Sequence, residues 1–386
     1  MLRGGKTLCT DATFRHVDVS VSQGLISGVG ASAIAMSEID LSGLFLVPGF
    51  VDLQVNGGGD VLFGEDLSAA GLRAIAEAHA QFGTTSFLPT ITTTTEQMMR
   101  RGVSAVEDYL RNGGGDVLGL HLEGPSISKD RLGIHPREHV RRVFPLTDDL
   151  RDKRYVRLVT LAPEVVGQNV IEQLIASGVS VAVGHSEAPA GLVGQSIALG
   201  ARLATHLFNA MSAPTARSPG VVGAFLDNED AYVSMIADGV HVDPMNVRLA
   251  WRAKGAGRCI LVTDAMPPVG GNQRSFLFGN QRITVADGSC RNQAGTLAGS
   301  ALDMASAVRN CVSFGIPLED ALAMASAVPA KYLGLTDQLG SIEVGRRADL
   351  VVLASDLHVI ATVKQGDLVV RARSQSKALN RRFEVH

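Results

Sequence analysis

The sequence predicts an α/β protein: a (β/α)8 TIM-type barrel carrying a small β-sandwich domain made from both chain ends. Three observations carry this expectation. First, eight short apolar or β-branched runs punctuate the chain at Phe45–Val55, Thr84–Pro89, Val117–His121, Val156–Leu161, Val179–Gly184, Leu203–His206, Tyr232–Ile236 and Ile260–Thr263. Second, amphipathic stretches of helical spacing lie between them, among them Leu67–Gln81, Glu96–Leu110, Val170–Ala176 and Pro189–Leu199. Strand–helix alternation of this extent closes a barrel more readily than it builds an open sheet. Third, both ends read as short strands and turns. Phe14–Val19 and Leu25–Val29 are bounded by Gly24, Gly28 and Gly30, and the tail returns to strand chemistry at Gly340–Gly345 and Ala348–Leu353.

The expected domains are therefore a discontinuous β domain at 1–48 and 341–386, and a barrel at 49–340. After the eighth run, Phe276–Val285 with its Gly279-Asn280 turn leads to Asp287-Gly288 and reads as a hairpin inserted in the barrel. Helices are expected around Ser300–Phe314 and Leu318–Ala325, with Pro317 placed at a helix start. Gly113-Gly114-Gly115 is a flexible turn and not a phosphate loop, because no helix start follows it.

Composition bounds the function. A chain of 386 residues with 46% hydrophobic content can bury a large core. A net charge of −3 argues against bulk electrostatic binding to nucleic acid or an anionic membrane, so any anionic ligand must be held locally. Cys9, Cys259, Cys290 and Cys311 are far apart and form no CxxC pair, which points to a reducing cytoplasm. No apolar stretch approaches the ~20 residues that span a bilayer. Met1 to Thr10 lacks the apolar core of a signal peptide, and a soluble protein is expected.

The chemistry is written at the ends of four runs, which close on Glu123, His185, His206 and Asp264. In a β/α barrel the side chain just past the C-terminal end of a strand points into the active site. One carboxylate and two imidazoles suit a divalent metal that activates water, and a second carboxylate suits a base beside it. Glu123 precedes Gly124-Pro125 after an apolar run, where an unpaired carboxylate would be costly to desolvate. His121 lies on the same strand face one layer deeper and reads as a supporting or core residue. His16, His79, His139, His358 and His386 sit in polar or terminal contexts and are expected at the surface.

At these residues the chain resembles the N-acetylglucosamine-6-phosphate deacetylase family of the amidohydrolase superfamily. The resemblance rests on Val47-Pro48-Gly49-Phe50-Val51-Asp52, His121-Leu122-Glu123-Gly124-Pro125, Gly184-His185-Ser186, Thr205-His206-Leu207-Phe208-Asn209-Ala210-Met211, Ala237-Asp238-Gly239-Val240-His241, Thr263-Asp264-Ala265 and Gly295-Thr296-Leu297-Ala298-Gly299-Ser300, in that order. It implies Glu123, His185 and His206 as metal ligands and Asp264 as the catalytic acid and base. It implies Ile134 and His135 against the sugar and its acetamido carbonyl. Asn209, Ala210 and Arg217 fall at the phosphate, and Asp238, His241, Leu297, Ala298 and Gly299 fall around the sugar. A guanidinium is suited to a phosphate dianion, and Arg217 lies in a Pro/Gly-rich segment that reads as a mobile loop.

One departure from the wider superfamily stands at the end of the first barrel strand. Many members carry His-x-His there; this chain has Gln54-Val55-Asn56, and neutral amides are poor ligands for transition metals. One divalent metal per chain is therefore expected, zinc fitting the ligands best, with iron, manganese or cobalt also compatible. The implied reaction converts N-acetyl-D-glucosamine 6-phosphate to D-glucosamine 6-phosphate and acetate. The implied partners are a phosphorylated amino sugar and a second copy of the chain, with no nucleic acid and no membrane. Three alternatives stay open: a deacetylase for the galactosamine epimer, a cyclic-amide hydrolase, and a catalytically inactive scaffold. The cyclic-amide reading is disfavoured because no lysine stands at a predicted barrel-strand end.

Overall fold

The computed structural model describes residues 1–30, 37–286 and 288–371. Asp287 of the anticipated turn and residues 372–386 of the anticipated end domain, with His386, lie outside the described residues. Eight strands form one sheet: β1 (Phe50–Val55), β2 (Thr84–Thr92), β3 (Leu120–Glu123), β4 (Val156–Leu161), β5 (Ser180–Val183), β6 (Leu203–Ala204), β7 (Tyr232–Met235) and β8 (Cys259–Leu261). Sequence neighbours pair in parallel throughout. A parallel bridge between Val55 and Ala265 joins the last strand to the first, reinforced by Asn56 N–H on Ala265 O at 2.9 Å and Asp264 N–H on Gln54 O at 3.0 Å. The barrel is closed. Its strands are buried on both faces, which is why they read as continuous apolar runs rather than alternating ones.

Helices α1 (Ala69–Ala80), α2 (Glu96–Arg111), α3 (Gln168–Ala176), α4 (Ala190–Leu199), α5 (Gly220–Asp227) and α6 (Pro244–Lys254) cover the barrel, followed by α7 (Met304–Ser313), α8 (Leu318–Ala325) and α9 (Ala327–Tyr332). Local chemistry starts them. Ser68 Oγ accepts from Gly71 N at the start of α1, Thr95 Oγ1 accepts from Met98 N at α2, and Asp243 caps α6 ahead of Pro244. After β3 the alternation lapses. Residues 124–155 contain no α-helix, only short 3-10 turns at Arg137–His139 and Asp149–Arg151, and Gly124, Pro125, Gly133 and Pro136 interrupt regular structure. This segment carries His135 to the barrel mouth.

The run Phe45–Val55 splits at Gly49. Phe45–Pro48 joins a six-stranded sheet with Lys6–Leu8, Phe14–His16, Leu350–Leu353, Val359–Lys364 and Asp367–Arg371, while Phe50–Val55 becomes β1. A second sheet pairs Leu25–Val29, Val19–Ser22, Leu2–Arg3 and Ile39–Asp40. Alternation along the six-stranded sheet explains the sandwich. Leu46, Leu350 and Val352 face Leu2, Val19 and Ile26 of the other sheet, whereas Val47, Val351 and Leu353 point the opposite way into the barrel's own core. The anticipated inserted hairpin is larger than expected, an antiparallel meander of Ser275–Phe278, Gln281–Ala286, Ser289–Asn292 and Leu297–Ser300. Residues Leu297 to Gly299 thus lie on its last strand, and Phe276, Phe278, Ile283 and Ala298 pack there with Ile134 and Met266.

His79 corrects a surface assignment. It is fully buried on α1, with Nε2 2.9 Å from Gly57 O and its ring stacked on Phe87. Its place follows from Leu72, Ile75 and Ala76, which occupy the same buried face at helical spacing.

Gly49 sets the handover between sheets. Its N–H bonds Asp349 O at 2.8 Å, and a Cβ built there would lie 2.1 Å from Thr85 Oγ1. Gly49→Ala should destabilise the protein by roughly 1–3 kcal/mol through overpacking. Adding Thr85→Gly should recover part of that loss. Urea denaturation of the single and double variants checks this; strictly additive losses would show that the contact is not the cause.

Candidate functional site

Glu123 is the last residue of β3; His185, His206 and Asp264 follow β5, β6 and β8. The latter three have positive φ, at 48°, 35° and 50°, as do Phe208 and Ala210 beyond β6. Non-glycine residues occupy this region at a cost, and such outliers gather where a surrounding structure holds side chains for function. The bends bring the four side chains to one cavity of about 400 Å³ at the barrel mouth.

Within it Glu123 is almost wholly buried. Its Oε1 lies 2.9 Å from His206 Nε2 and 3.3 Å from His185 Nε2, and its Oε2 lies 3.7 Å from His135 Nε2. Burial opposes ionisation of Glu123, but the imidazoles around it outweigh that and hold the carboxyl well below its ordinary range. The opposite balance holds at Asp264, pushed up to about 6 by burial and then by the Glu123 charge.

Hydrogen bonding sets two of the three imidazoles, His185 and His135, in opposite tautomers. His185 Nδ1 lies 2.7 Å from Arg131 O, a pure acceptor, so Nδ1 carries the proton. In the neutral ring Nε2 then aims a lone pair at a carboxylate oxygen, an arrangement that calls for a cation between them. His135 is the reverse. Its Nδ1 accepts from Thr93 N at 3.4 Å and lies 2.8 Å from Thr93 Oγ1, so Nε2 presents an N–H. Burial, with neighbouring imidazoles, pushes His135 down to about 3 and keeps it neutral. By distance alone Glu123, His135 and His185 form a possible metal-binding group, their ligand atoms all within 4.8 Å of one another. The tautomers favour His185 over His135 as the ligand beside Glu123 and leave His135 as a donor; His206, with Nε2 2.9 Å from Glu123 Oε1, is the third imidazole at hand. The donor set thus fits a divalent cation.

The amides at the end of β1 face the same place. Gln54 Nε2 donates to Glu123 Oε1 and to Asp264 Oδ1, both at 3.1 Å, and Asn56 Nδ2 donates to Asp264 Oδ1 at 2.6 Å. Where a second metal would need lone pairs, this chain turns N–H groups inward. Behind them Asp52, fully buried, accepts from Gln54 N, Thr263 N and Thr263 Oγ1 and pins β1 to the end of β8. Its carboxyl is pushed up to about 7 by burial. Deeper still, His121 is fixed between Thr90 Oγ1 at 3.1 Å and Thr160 Oγ1 at 2.8 Å, the supporting position expected for it.

The remaining predicted residues divide. Ile134, His135, Asn209, Ala210, His241, Leu297 and Gly299 line the cavity. Asp238 does not; its Oδ2 lies 2.6 Å from His241 Nδ1 and its Oδ1 accepts from Val240 N and His241 N, so it orients His241. Ala298 is buried in the apolar cluster under the cavity wall. Arg217 is exposed on the loop before α5 and is not brought to the cavity of its own chain. Sequence reasoning missed Thr93, the Arg131 carbonyl, Ile236 and Met266, none of which carries a local signal.

The chain matches the amidohydrolase family over residues 45–369. It is 40% identical over 379 residues to the N-acetylgalactosamine-6-phosphate deacetylase of Shewanella sp. (strain ANA-3), covering 96% of this chain and 95% of that one. It is 37% identical over 334 residues to the N-acetylglucosamine-6-phosphate deacetylase of Haemophilus influenzae, covering 85% and 87%. Its structure superposes on the N-acetylglucosamine-6-phosphate deacetylase from Pasteurella multocida with a TM-score of 0.92 at 37% identity, over 95% of this chain and 98% of that one. The chain belongs to the amidohydrolase family and, within it, to the deacetylases of N-acetylated amino-sugar 6-phosphates.

Proposed function

We propose that the chain hydrolyses N-acetyl-D-glucosamine 6-phosphate to D-glucosamine 6-phosphate and acetate, with Asp264 as base and then acid. The observation that carries this is the position of Asp264, whose Oδ1 is held by Gln54 and Asn56 beside the Glu123–imidazole cluster. Both amide bonds fall on Oδ1, which leaves Oδ2 to take and return a proton.

Glu123, His185 and His206 would hold a single divalent cation, zinc fitting this set best with iron, manganese or cobalt also compatible. When bound, such a cation polarises the amide carbonyl and lowers the pKa of water. Asp264 removes a proton from the attacking water and returns it to the amine, since an amide nitrogen leaves only when protonated. His135, held by Thr93 with Nε2–H outward, donates to the developing oxyanion. Asn209, Ala210 and His241, with Asp238 fixing the His241 ring, line the sugar-phosphate end. Leu297, Ala298, Gly299 and Ile134 form the wall against the ring. The four unpaired cysteines support a reducing, cytoplasmic setting. Among the described residues no helix is long and apolar enough to cross a membrane.

Arg217 supports a homodimer. It is exposed and does not line its own chain's cavity, while Val240, Met245 and Leu249 expose apolar side chains around His241 and on α6. A second copy docked there would cover this patch and bring Arg217 of the partner subunit to the phosphate.

The galactosamine epimer remains a second reading, favoured by the 40% identity to the Shewanella enzyme. Parallel assays decide it: the glucosamine epimer should have the higher kcat/KM, and a reversed preference would move the assignment. In either assay Asp264→Asn should retain sugar-phosphate binding but lose at least ~10²–10⁴-fold in kcat. Near-normal turnover by that variant would remove Asp264 from the mechanism.

The Arg217 role has its own test. Arg217→Ala should cost about one to two decades in kcat/KM, since charge-assisted hydrogen bonds contribute roughly 1.5–3 kcal/mol each. Mixing and reassociating Arg217→Ala with Asp264→Asn chains should recover activity above the sum of the two, because one site per heterodimer regains both groups. No recovery in a verified heterodimer would place Arg217 within its own chain's site or outside catalysis.

A further inference from the structure

A second cavity of about 620 Å³ adjoins the catalytic one and exceeds it in volume. Both sizes suit a small-molecule site, which typically spans ~300–1,000 Å³. The two share a wall of Asn56, Thr92 and Leu132 to His135. Beyond that wall their linings diverge. Glu123, His185, Asp264, Asn209 and His241 face only the smaller cavity, whereas Leu62, Thr90, Thr93, Thr94 and Phe278 face only the larger. Thr90 is a buried β2 residue that also touches His121, so the larger cavity descends into the barrel mouth and is more than a surface groove.

The substrate amide has two sides. Its carbonyl carbon bears the sugar nitrogen on one and the acyl carbon on the other. In the substrate pose proposed above, with the sugar phosphate towards Asn209 and His241 and the carbonyl oxygen at His135 Nε2–H, the acyl carbon would point towards the shared wall. We propose that the larger cavity is an acyl subsite, and that the enzyme also deacylates 2-(N-acylamino) hexose 6-phosphates whose straight acyl chains are longer than acetyl. The proposal rests on the deacylase reading above. The bonds are those of ordinary amide hydrolysis: the C–N bond breaks, the water oxygen joins the acyl carbon, a proton goes to the amine, and a longer carboxylate is released.

The test is a series of N-acetyl, N-propionyl, N-butyryl and N-hexanoyl glucosamine 6-phosphates. Turnover by the metal-loaded wild type and calorimetric binding to Asp264→Asn are both measured. An open subsite predicts kcat/KM and affinity for the hexanoyl compound within about tenfold of acetyl; a pocket closed at the methyl would lose roughly 10–200-fold for each added methylene. Thr94→Trp, altering a residue that lines only the larger cavity, should depress hexanoyl turnover more than tenfold and leave acetyl turnover unchanged. A steep fall along the wild-type series, or equal effects of the tryptophan on both substrates, overturns the acyl subsite while leaving deacetylation standing. Absence of acetyl turnover by the wild type would overturn both.

Discussion

The site depends on one buried carboxylate. Glu123 is 2% exposed at the end of a barrel strand, and its oxygens meet His185, His206 and the Gln54 amide. An ion taken out of water costs several kcal/mol unless opposite charge and hydrogen bonds compensate it. One of those contacts is conditional: the Arg131 carbonyl accepts from His185 Nδ1–H, which leaves the neutral ring's Nε2 lone pair facing Glu123. A cation resolves that conflict. On the other side Thr93 fixes His135 with its N–H outward, so two buried imidazoles around one carboxylate are set to different tasks by what stands behind them.

Closure of the barrel does the remaining positioning. Asn56 and Asp264 lie at opposite ends of the sequence of barrel strands yet meet at the seam, where Asp52, Thr263 and the Val55–Ala265 bridge lock the first strand to the last. The amide pair thereby acquires two functions from one geometry. It donates to Glu123 through Gln54, and it restrains Asp264 with one oxygen engaged. His79, buried against Gly57, braces the same turn from outside the barrel.

Much of this was legible in the sequence. Parallel strands buried on both faces leave continuous apolar runs, and residues at their ends meet at one rim, so Glu123, His185, His206 and Asp264 could be grouped from order alone. The failures are equally physical. His79 lies between Ala78 and Ala80 with Glu77 and Gln81 beyond, and only the spacing from Leu72 and Ile75 shows that it shares their face. The Gly49 break within one apolar run depends on Thr85, a contact from another strand. The departure from extended backbone at His185, His206 and Asp264 has no signature in residues other than glycine. Gln54 and Asn56 were visible as absent ligands, but their role as donors required Asp264 in place. Arg217 follows from the family resemblance alone, and the fold leaves it outside its own cavity.

The central claim, a single cation held by Glu123, His185 and His206, is tested most directly by anomalous diffraction at the metal edge from crystals of dialysed, reloaded protein, with elemental analysis of the same sample. The account predicts one peak per chain, bounded by Glu123 and the Nε2 atoms of His185 and His206, and close to one equivalent of metal. A second tightly held ion beside Gln54 and Asn56, or a peak bounded by His135 in place of His206, would contradict it.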